Sequence, residues 1–276
     1  MPAVIELRLR AGWPLEATTR QLHGLACAVF EGQHADDHSG PEKSFTVWPL
    51  SPDPAEPGTG WLLRTAWLRS GLPQEVLAAY GQLRLGHVTC AVTDVAYRPA
   101  THAELASGPL LQGARLAFHS PTYFSQNGTD VVLPDPRLIV GSWRRRWNAS
   151  LPDGDALAIG DDAWRAINRA IRLTAFDLRT QRMDSGRGRE RAGFTGTATL
   201  RLDKDLSSIV QAQFGALMRF AEFSGTGAQT THGFGATTAH LTPERLSDQQ
   251  EDEALDNHGP ISPARGHRYR KSRKFM

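Results

Sequence analysis

The segment GTGAQTTHGFG, residues 225–235, is the stretch from which the fold of this chain can be worked out. Its four glycines can take positive φ angles at little steric cost, so the backbone can turn tightly and approach another molecule closely. Consecutive backbone N–H groups in such a loop can also bind phosphate oxygens. The segment has no lysine and follows a helix pattern, which argues against a Walker-type nucleotide site. From the residues alone, a structural turn and an anion-binding loop both remain open.

The patterns on either side of this segment predict a βαββαβ unit. In chain order they are a strand at 112–119, a helix that begins near Pro136, strands at 170–183 and 192–203, a helix at 206–222 and a strand near 234–241. An Asn127-Gly128 pair also predicts a hairpin after the first strand.

The first half of the chain predicts the same order of elements. Residues 3–10, AVIELRLR, alternate between apolar and charged side chains, as a half-buried strand does. The patterns that follow are a helix through Phe30, strands at 44–50 and 60–69, a helix from Pro73 to Leu83 and a strand at 85–97. We therefore expect an α+β protein with tandem ferredoxin-like (RRM-like) domains, each βαββαβ, at 1–111 and 112–245.

Composition and charge narrow the class of protein. The 276 residues suit two domains, and the hydrophobic and charged fractions of 40% and 22% are typical of a soluble globular chain. No apolar run approaches the roughly 20 residues of a membrane span, no secretory signal is recognisable, and two cysteines make no disulfide framework. We expect a cytoplasmic protein with no membrane partner. The flexible tail expected at 246–276 is acidic and then basic, which suits a polyanion.

Three motifs resemble one known family. The run AEFSGTGAQTTHGFGA (221–236) resembles the C-terminal signature of the CRISPR-associated RAMP proteins. More narrowly, it is similar to the repeat-processing endoribonuclease, the sixth CRISPR-associated protein family. The runs FHSPTYFSQNGTDVVLPDPRLIVGSWRRRWN (118–148) and LHGLACAVFEGQHADDHSGPEKSFTVWPL (22–50) resemble two further motifs of that family, in the same order.

This resemblance implies a metal-independent endoribonuclease that needs no cofactor. The 2′-hydroxyl beside the scissile bond of a precursor CRISPR RNA repeat attacks the phosphate, which leaves a 2′,3′-cyclic phosphate and a 5′-hydroxyl. The implied partners are the repeat RNA and the mature guide RNA, and a CRISPR effector complex is left open. His38 and Lys43 match the family's motif histidine and lysine, for proton transfer and for charge stabilisation.

One position departs from the family pattern. Some members carry a catalytic tyrosine on the first helix, and the matching residue here is Cys27. His34 is the preferred replacement as a third catalytic group, and His23 is the other candidate. Zinc on the three histidines is disfavoured, because the glycine and proline residues around His34 and His38 make a regular helix there improbable.

We expect the RNA contacts to come mainly from the second half. Arg144 and Arg145 follow Trp143 on a predicted helix and should point outward, whereas Arg146 flanks its apolar face. A glycine-rich turn between two long strands carries three more arginines and predicts a hairpin that reaches an RNA stem. The expected RNA-binding residues are Arg144, Arg145, Arg187, Arg189, Arg191, Gly225, Gly227, Thr230, Thr231, His232, Gly233 and Gly235.

Two other classes of function fit parts of the sequence. A non-catalytic RAMP subunit that holds guide RNA in an effector complex would share the fold and the glycine loop, but it has no chemical need for His38 and Lys43. A ferredoxin-like metabolic enzyme could use the glycine loop for a small anion, but the arginine clusters and the basic tail argue against it.

Overall fold

The computed structural model describes residues 1–12, 15–31, 43–71, 81–184, 190–203 and 206–243 of the chain. Within these ranges lie two large antiparallel β-sheets, one separate two-stranded hairpin and five α-helices. The α+β class expected from the sequence is confirmed.

The first sheet contains the strands of residues 3–99. Its elements and the short helix after it are β1 (Ala3–Arg10), α1 (Thr19–Phe30), β2 (Phe45–Val47), β3 (Ser51–Pro52), β4 (Gly60–Trp67), β5 (Gln82–Leu85), β6 (Val88–Pro99) and α2 (His102–Ala106). Neighbouring strands follow the order β2-β4-β1-β6-β5, and β3 also pairs with β4. The first strand thus lies between the third and the last, as in a ferredoxin-like sheet.

Helix α1 forms where the sequence predicts it. Thr18 caps its first turn, since the Thr18 side chain accepts from the Gln21 N–H and the Gln21 side chain accepts from the Thr18 N–H. The apolar stripe expected on this helix is buried against the first sheet, and it consists of Leu22, Leu25, Ala26, Val29 and Phe30.

The second sheet has the same order of strands. The elements of residues 111–243 are β7 (Leu111–Thr122), β8 (Phe124–Gln126), β9 (Thr129–Val131), α3 (Pro136–Ser150), α4 (Asp161–Ala170), β10 (Ile171–Asp184), β11 (Glu190–Leu202), α5 (Ser208–Ser224) and β12 (Thr237–Pro243), of which β8 and β9 form the separate hairpin. The strand order β10-β11-β7-β12 again puts the first strand between the third and the last. The Asn127-Gly128 pair forms the predicted turn between β8 and β9, and both residues have positive φ.

Three sequence expectations need correction or lie outside the described residues. Helix α4 was not predicted, because only Ile167 and Ala170 of its ten residues are buried. Leu83 belongs to strand β5 rather than to a helix, and the strand expected at 85–97 is the second arm of the β5–β6 hairpin. Gln82 lies in the same strand, and residues 73–80 of the helix expected from Pro73 lie outside the described residues.

Packing crosses the expected boundary at residue 111. Val4, Ala66 and Leu68 of the first sheet join the core that α3 and α5 form over the second sheet. Thr46 of β2 also donates to the Phe223 carbonyl of α5 over 2.7 Å. The division into domains at 111 and 112 stays a prediction. No helix among the described residues is long and apolar enough to cross a bilayer.

Candidate functional site

The glycine loop between α5 and β12 has a backbone that requires glycine. Gly227 and Gly235 have φ angles of +79° and +68°. A Cβ on Gly227 would stand 2.2 Å from the Tyr123 carbonyl oxygen, and one on Gly235 would stand 1.9 Å from the Thr226 carbonyl oxygen. Both distances are far below contact, so any larger residue would displace the loop.

Helix α3 holds this loop in place. The Trp143 Nε1 donates to Thr226 Oγ1 over 3.0 Å, and the Gly227 N–H donates to Ser142 Oγ over 3.1 Å. Arg146 donates to the Gly227 carbonyl over 2.9 Å and also to the Ser224 carbonyl. The mid-chain motif and the glycine motif therefore belong to one structural unit, although about 80 residues separate them.

Part of the loop does not present the free N–H groups expected of an anion cradle. The N–H groups of Gly225, Thr226, Gly227 and Ala228 donate to Ala221, Gly235, Ser142 and Tyr123, respectively. Thr230, Thr231 and His232 form a 3₁₀ turn beyond them. Later in the loop, His232 and Phe234 donate to the Gln229 carbonyl and Gly235 donates to the Pro121 carbonyl. Internal bonds thus fix the shape of both ends of the loop, and contacts to an anion fall to its remaining groups and its neighbours.

Helix α1 meets the loop through His23. Its ring stacks on that of His232 with centroids 3.8 Å apart and planes 9° from parallel. The Nδ1 of His23 lies 3.0 Å from the Thr231 carbonyl oxygen, which can only accept. In the neutral ring Nδ1 therefore carries the proton and Nε2 is the acceptor, which lies 3.5 Å from the Cys27 sulfur. Burial, and then His23, lower the pKa of His232 to about 4.

Cys27 and Glu31 follow His23 on the same helix face. Burial and the nearby Glu31 carboxylate raise the pKa of the Cys27 thiol to about 11, against a smaller opposing effect of Lys43. The thiol is therefore protonated at neutral pH and does not act as a thiolate. Glu31 pairs with Lys43, whose Nζ lies 2.9 Å from Oε1 and 3.0 Å from Oε2. The side chains of this pair are only 14% and 12% exposed.

Lys43 lines a cavity of about 450 Å³ between the two halves of the chain. Arg145 and Arg146 of α3 line the same cavity, as do Thr230 and Thr231 of the loop. Three cations thus surround it, which is the arrangement that stabilises a phosphate. We call this cavity the Lys43 groove.

The expected arginine contacts separate into three groups. Arg145 is exposed, as predicted, and Arg146 is half-buried beside the loop. The outward orientation expected of Arg144 is wrong, because its guanidinium is bound to the Ile159 carbonyl and to Asp161 at 2.9 and 2.6 Å. Arg191 pairs with Asp130 and lies over the Tyr123 ring, with its side chain 39% exposed.

Several expected site residues lie outside the described residues. They are His34, His38, Arg187, Arg189 and the tail 246–276. Within the described ranges no cluster of three His, Cys, Asp or Glu side chains has the arrangement of a metal site.

The sequence alone did not identify Glu31 as the partner of Lys43, or His232 as the partner of His23. A signal for the first was present. His23, Cys27 and Glu31 follow one another at intervals of four residues, which puts them on one face of a helix. The contact between His23 and the loop links residues 208 positions apart, and no local pattern contains it.

Comparison with known proteins points to one family. The family model described as CRISPR-associated endoribonuclease Cas6 matches residues 116–237. The CRISPR-associated endoribonucleases Cas6 of two Mycobacterium tuberculosis strains are 34% identical over 122 residues, which is 44% of this chain and 37% of theirs. The match thus spans well under half of the length of these curated relatives.

Solved structures match most of the chain. Thermus thermophilus Cas6 (TTHB231) is 30% identical with a TM-score of 0.66, and the match covers 87% of this chain and 98% of that one. The Cas6 (TTHB231) product complex is 29% identical with a TM-score of 0.75, over 87% and 100% of the two chains. The Cas6 (TTHA0078) product complex is 25% identical with a TM-score of 0.73, over 87% and 100%.

Proposed function

Because this chain belongs to the Cas6 family of CRISPR-associated endoribonucleases, we propose that it cleaves precursor CRISPR RNA within the repeats. The reaction begins when the 2′-oxygen beside the scissile bond forms a bond to phosphorus. The bond from phosphorus to the 5′-oxygen then breaks, which leaves a 2′,3′-cyclic phosphate and a 5′-hydroxyl. One protein group removes the 2′-proton, and another gives a proton to the departing oxygen.

The Lys43 groove is the observation that carries this proposal. It brings three cations together, and Thr231, which lines it, contacts the half-buried His23 of α1 through its carbonyl oxygen. Phosphoryl transfer needs cations and a group that exchanges protons. Lys43 stabilises the negative charge that develops on the phosphorane oxygens. Since the nucleophile belongs to the RNA itself, the reaction requires no metal-bound water.

His38 is proposed as the principal proton-transfer residue. It precedes Lys43 by five residues, so the chain keeps the two within reach of one substrate. His34 is the second proposed catalytic residue. His23 is an alternative to His34, supported by its contact with the glycine loop.

The RNA partner is proposed from the same cavity and from the relatives. Cas6 (TTHB231) and Cas6 (TTHA0078) were solved as product complexes, and the latter also as a substrate mimic complex. We propose that Arg145 and the later loop residues Thr230, Thr231 and His232 contact the RNA backbone. Arg187, Arg189 and Arg191 would hold a neighbouring part of the repeat. Arg144 contributes through the position of α4, since its guanidinium is already bound.

A non-catalytic RNA-holding subunit is the second candidate, and the Lys43–Glu31 pair favours it. A lysine bound this closely to a carboxylate on a neighbouring element can serve structure alone. The two candidates differ in one measurable result, because only the enzyme cuts bound repeat RNA.

The test is single-turnover cleavage of repeat RNA, with and without excess chelator. We expect one cut per repeat, a cyclic phosphate on the upstream product and the same rate in chelator. A matched RNA with a 2′-deoxy nucleotide at the cut should bind equally and remain whole. Binding without any cut would establish the subunit instead, and cleavage of the deoxy RNA at that bond would overturn the mechanism.

A further inference from the structure

A second cavity adjoins the Lys43 groove. Residues of α3, α4, strand β8 and the glycine loop line it, and its volume is about 510 Å³. Arg145, Gly227 and Ala228 line both cavities, so the two meet at these residues.

Trp164 of α4 forms an aromatic wall of this cavity. Its indole lies against α3 over Gly141, where a Cβ would stand 3.4 Å from Cζ2 and Cη2. The absence of a side chain at 141 thus allows the ring to approach the helix closely. The Arg144 guanidinium lies 5.6 Å from the ring centroid and is itself bound to Asp161. A ring held in this way is preorganised for stacking on a nucleobase.

Asn168 lines the same cavity one turn later on α4. Its Oδ1 is buried and has no hydrogen-bond partner among the described residues. Buried polar atoms without partners are rare in folded proteins, because each one loses its bonds to water. Rotation of the amide would allow it to pair with a ligand, and amides recognise the hydrogen-bonding edges of bases. Gln126, an exposed residue of β8, supplies a second amide at the cavity.

We propose that this cavity binds one unpaired nucleobase of the RNA whose backbone lies in the Lys43 groove. Trp164 stacks on the base, Asn168 pairs with its edge, and Arg145 holds the adjoining phosphate where the two cavities meet. The inference rests on the proposed function for its occupant, since the base belongs to the same repeat RNA. It makes Trp164 and Asn168 specificity-determining residues.

The first experiment uses the unaltered protein, so it does not depend on any variant folding. The substrate is repeat RNA with a 2′-deoxy nucleotide at the cut, which keeps it whole. In a series of such RNAs, the fluorescent base 2-aminopurine replaces one base at a time. We expect fluorescence to fall several-fold on binding at one unpaired position, and an abasic nucleotide there to weaken binding about 10-fold. If none of the unpaired nucleotides showed both effects, the proposal would be overturned.

The second experiment assigns that position to Trp164. Trp164→Leu should lose about 10-fold in affinity for the intact RNA and nothing further for the abasic RNA. Trp164→Phe should keep affinity within about 3-fold, since a phenyl ring still stacks. Asn168→Leu should keep the abasic penalty but lose the preference among bases at that position. If the losses of affinity from Trp164→Leu and from the abasic nucleotide added together, the assignment of that base to Trp164 would be contradicted.

Two controls isolate the cavity from the rest of the site. Arg165→Ala removes an exposed cation from the same helix and should leave both measurements unchanged. Binding of a free nucleoside monophosphate as tight as that of the RNA would mean a small-molecule site and would overturn the proposal. A protein that binds and positions the base but cuts nothing would contradict the proposed function alone.

Discussion

The two halves of the chain share one strand order but contribute different chemistry to their common cavity. The first half supplies Lys43, with its partner Glu31 behind it and His23 against the glycine loop, and the second half supplies arginines and the glycine loop itself. Histidine can exchange a proton near neutral pH, whereas arginine stays charged at every accessible pH. In the function proposed above, the same fold serves proton transfer in one half and anion binding in the other.

This contrast predicts that substitutions in the first half change the rate of cleavage and that substitutions in the second half change affinity. The predictions below test that division, from the largest expected effect to the smallest.

Replacement of His38 by alanine should slow single-turnover cleavage about 10²- to 10⁴-fold, because it removes a group that transfers a proton. Affinity for the repeat should change little, since one neutral imidazole makes few phosphate contacts. His87→Ala, which alters an exposed histidine in the same half, is the matched control and should cut at the normal rate. Rapid cleavage by His38→Ala would move the catalytic assignment to His34 or His23.

Charge reversal of Arg187, Arg189 and Arg191 to glutamate should weaken repeat binding about 100-fold at low salt and make it less salt-dependent. At saturating protein the cleavage rate should change far less. The matched control reverses Arg10, Arg20 and Arg84, which are exposed in the first half. Equal losses in the two triple variants would mean that net charge, rather than the hairpin, determines binding.

Lys43→Ala should slow cleavage about 10- to 100-fold and lower the free energy of unfolding by about 3 kcal/mol, because it leaves the half-enclosed Glu31 carboxylate unpaired. Adding Glu31→Gln should restore much of the stability but none of the rate. The measurements are chemical unfolding and single-turnover cleavage. If the double variant also cut normally, Lys43 would have a structural role only. The prediction that first-half substitutions change the rate of cleavage would then be wrong for this residue.

The free energy of unfolding should fall as the pH is lowered from 6.5 towards 4. The folded pKa of His232 lies near 4, below the ordinary value of 6.5, so the unfolded chain binds more protons in that window. His102, whose pKa burial also lowers to about 4, contributes with the same sign. His232→Gln should flatten the pH dependence within this window and leave it unaltered above pH 7.5. If the free energy of unfolding of the variant changed with pH as steeply as that of the unaltered protein, His232 in its stack on His23 would not be a cause of the pH dependence.

Removal of residues 246–276 should have the smallest effect. The cut should stay at the same bond. Association should slow only at low salt, because the tail carries six Lys or Arg residues among its last twelve. Stopped-flow association and mapping of the product ends would measure both. A change in the position of the cut would show that the tail takes part in substrate positioning.

Much of the fold follows from local patterns. The alternation at 3–10, the stripe on α1 and the Asn127-Gly128 turn each predict their element, since period and turn chemistry are properties of neighbouring residues. Helix α4 was not predicted, because few of its side chains are buried. The orientation of Arg144 was predicted wrongly for a different reason. Its partner Asp161 lies 17 residues away on another helix, and helical periodicity relates only residues of the same helix.

By itself the sequence determined the α+β class and the family, and it predicts that His38 and Lys43 act together in one motif. Only the tertiary structure decided which side chains share a cavity. It brought His23 to His232, Lys43 and Arg145 to one groove, and Trp164 to the cavity that adjoins it. The physical reason is that periodicity reports how one element faces its core, whereas a site is formed by contacts between elements far apart in the chain.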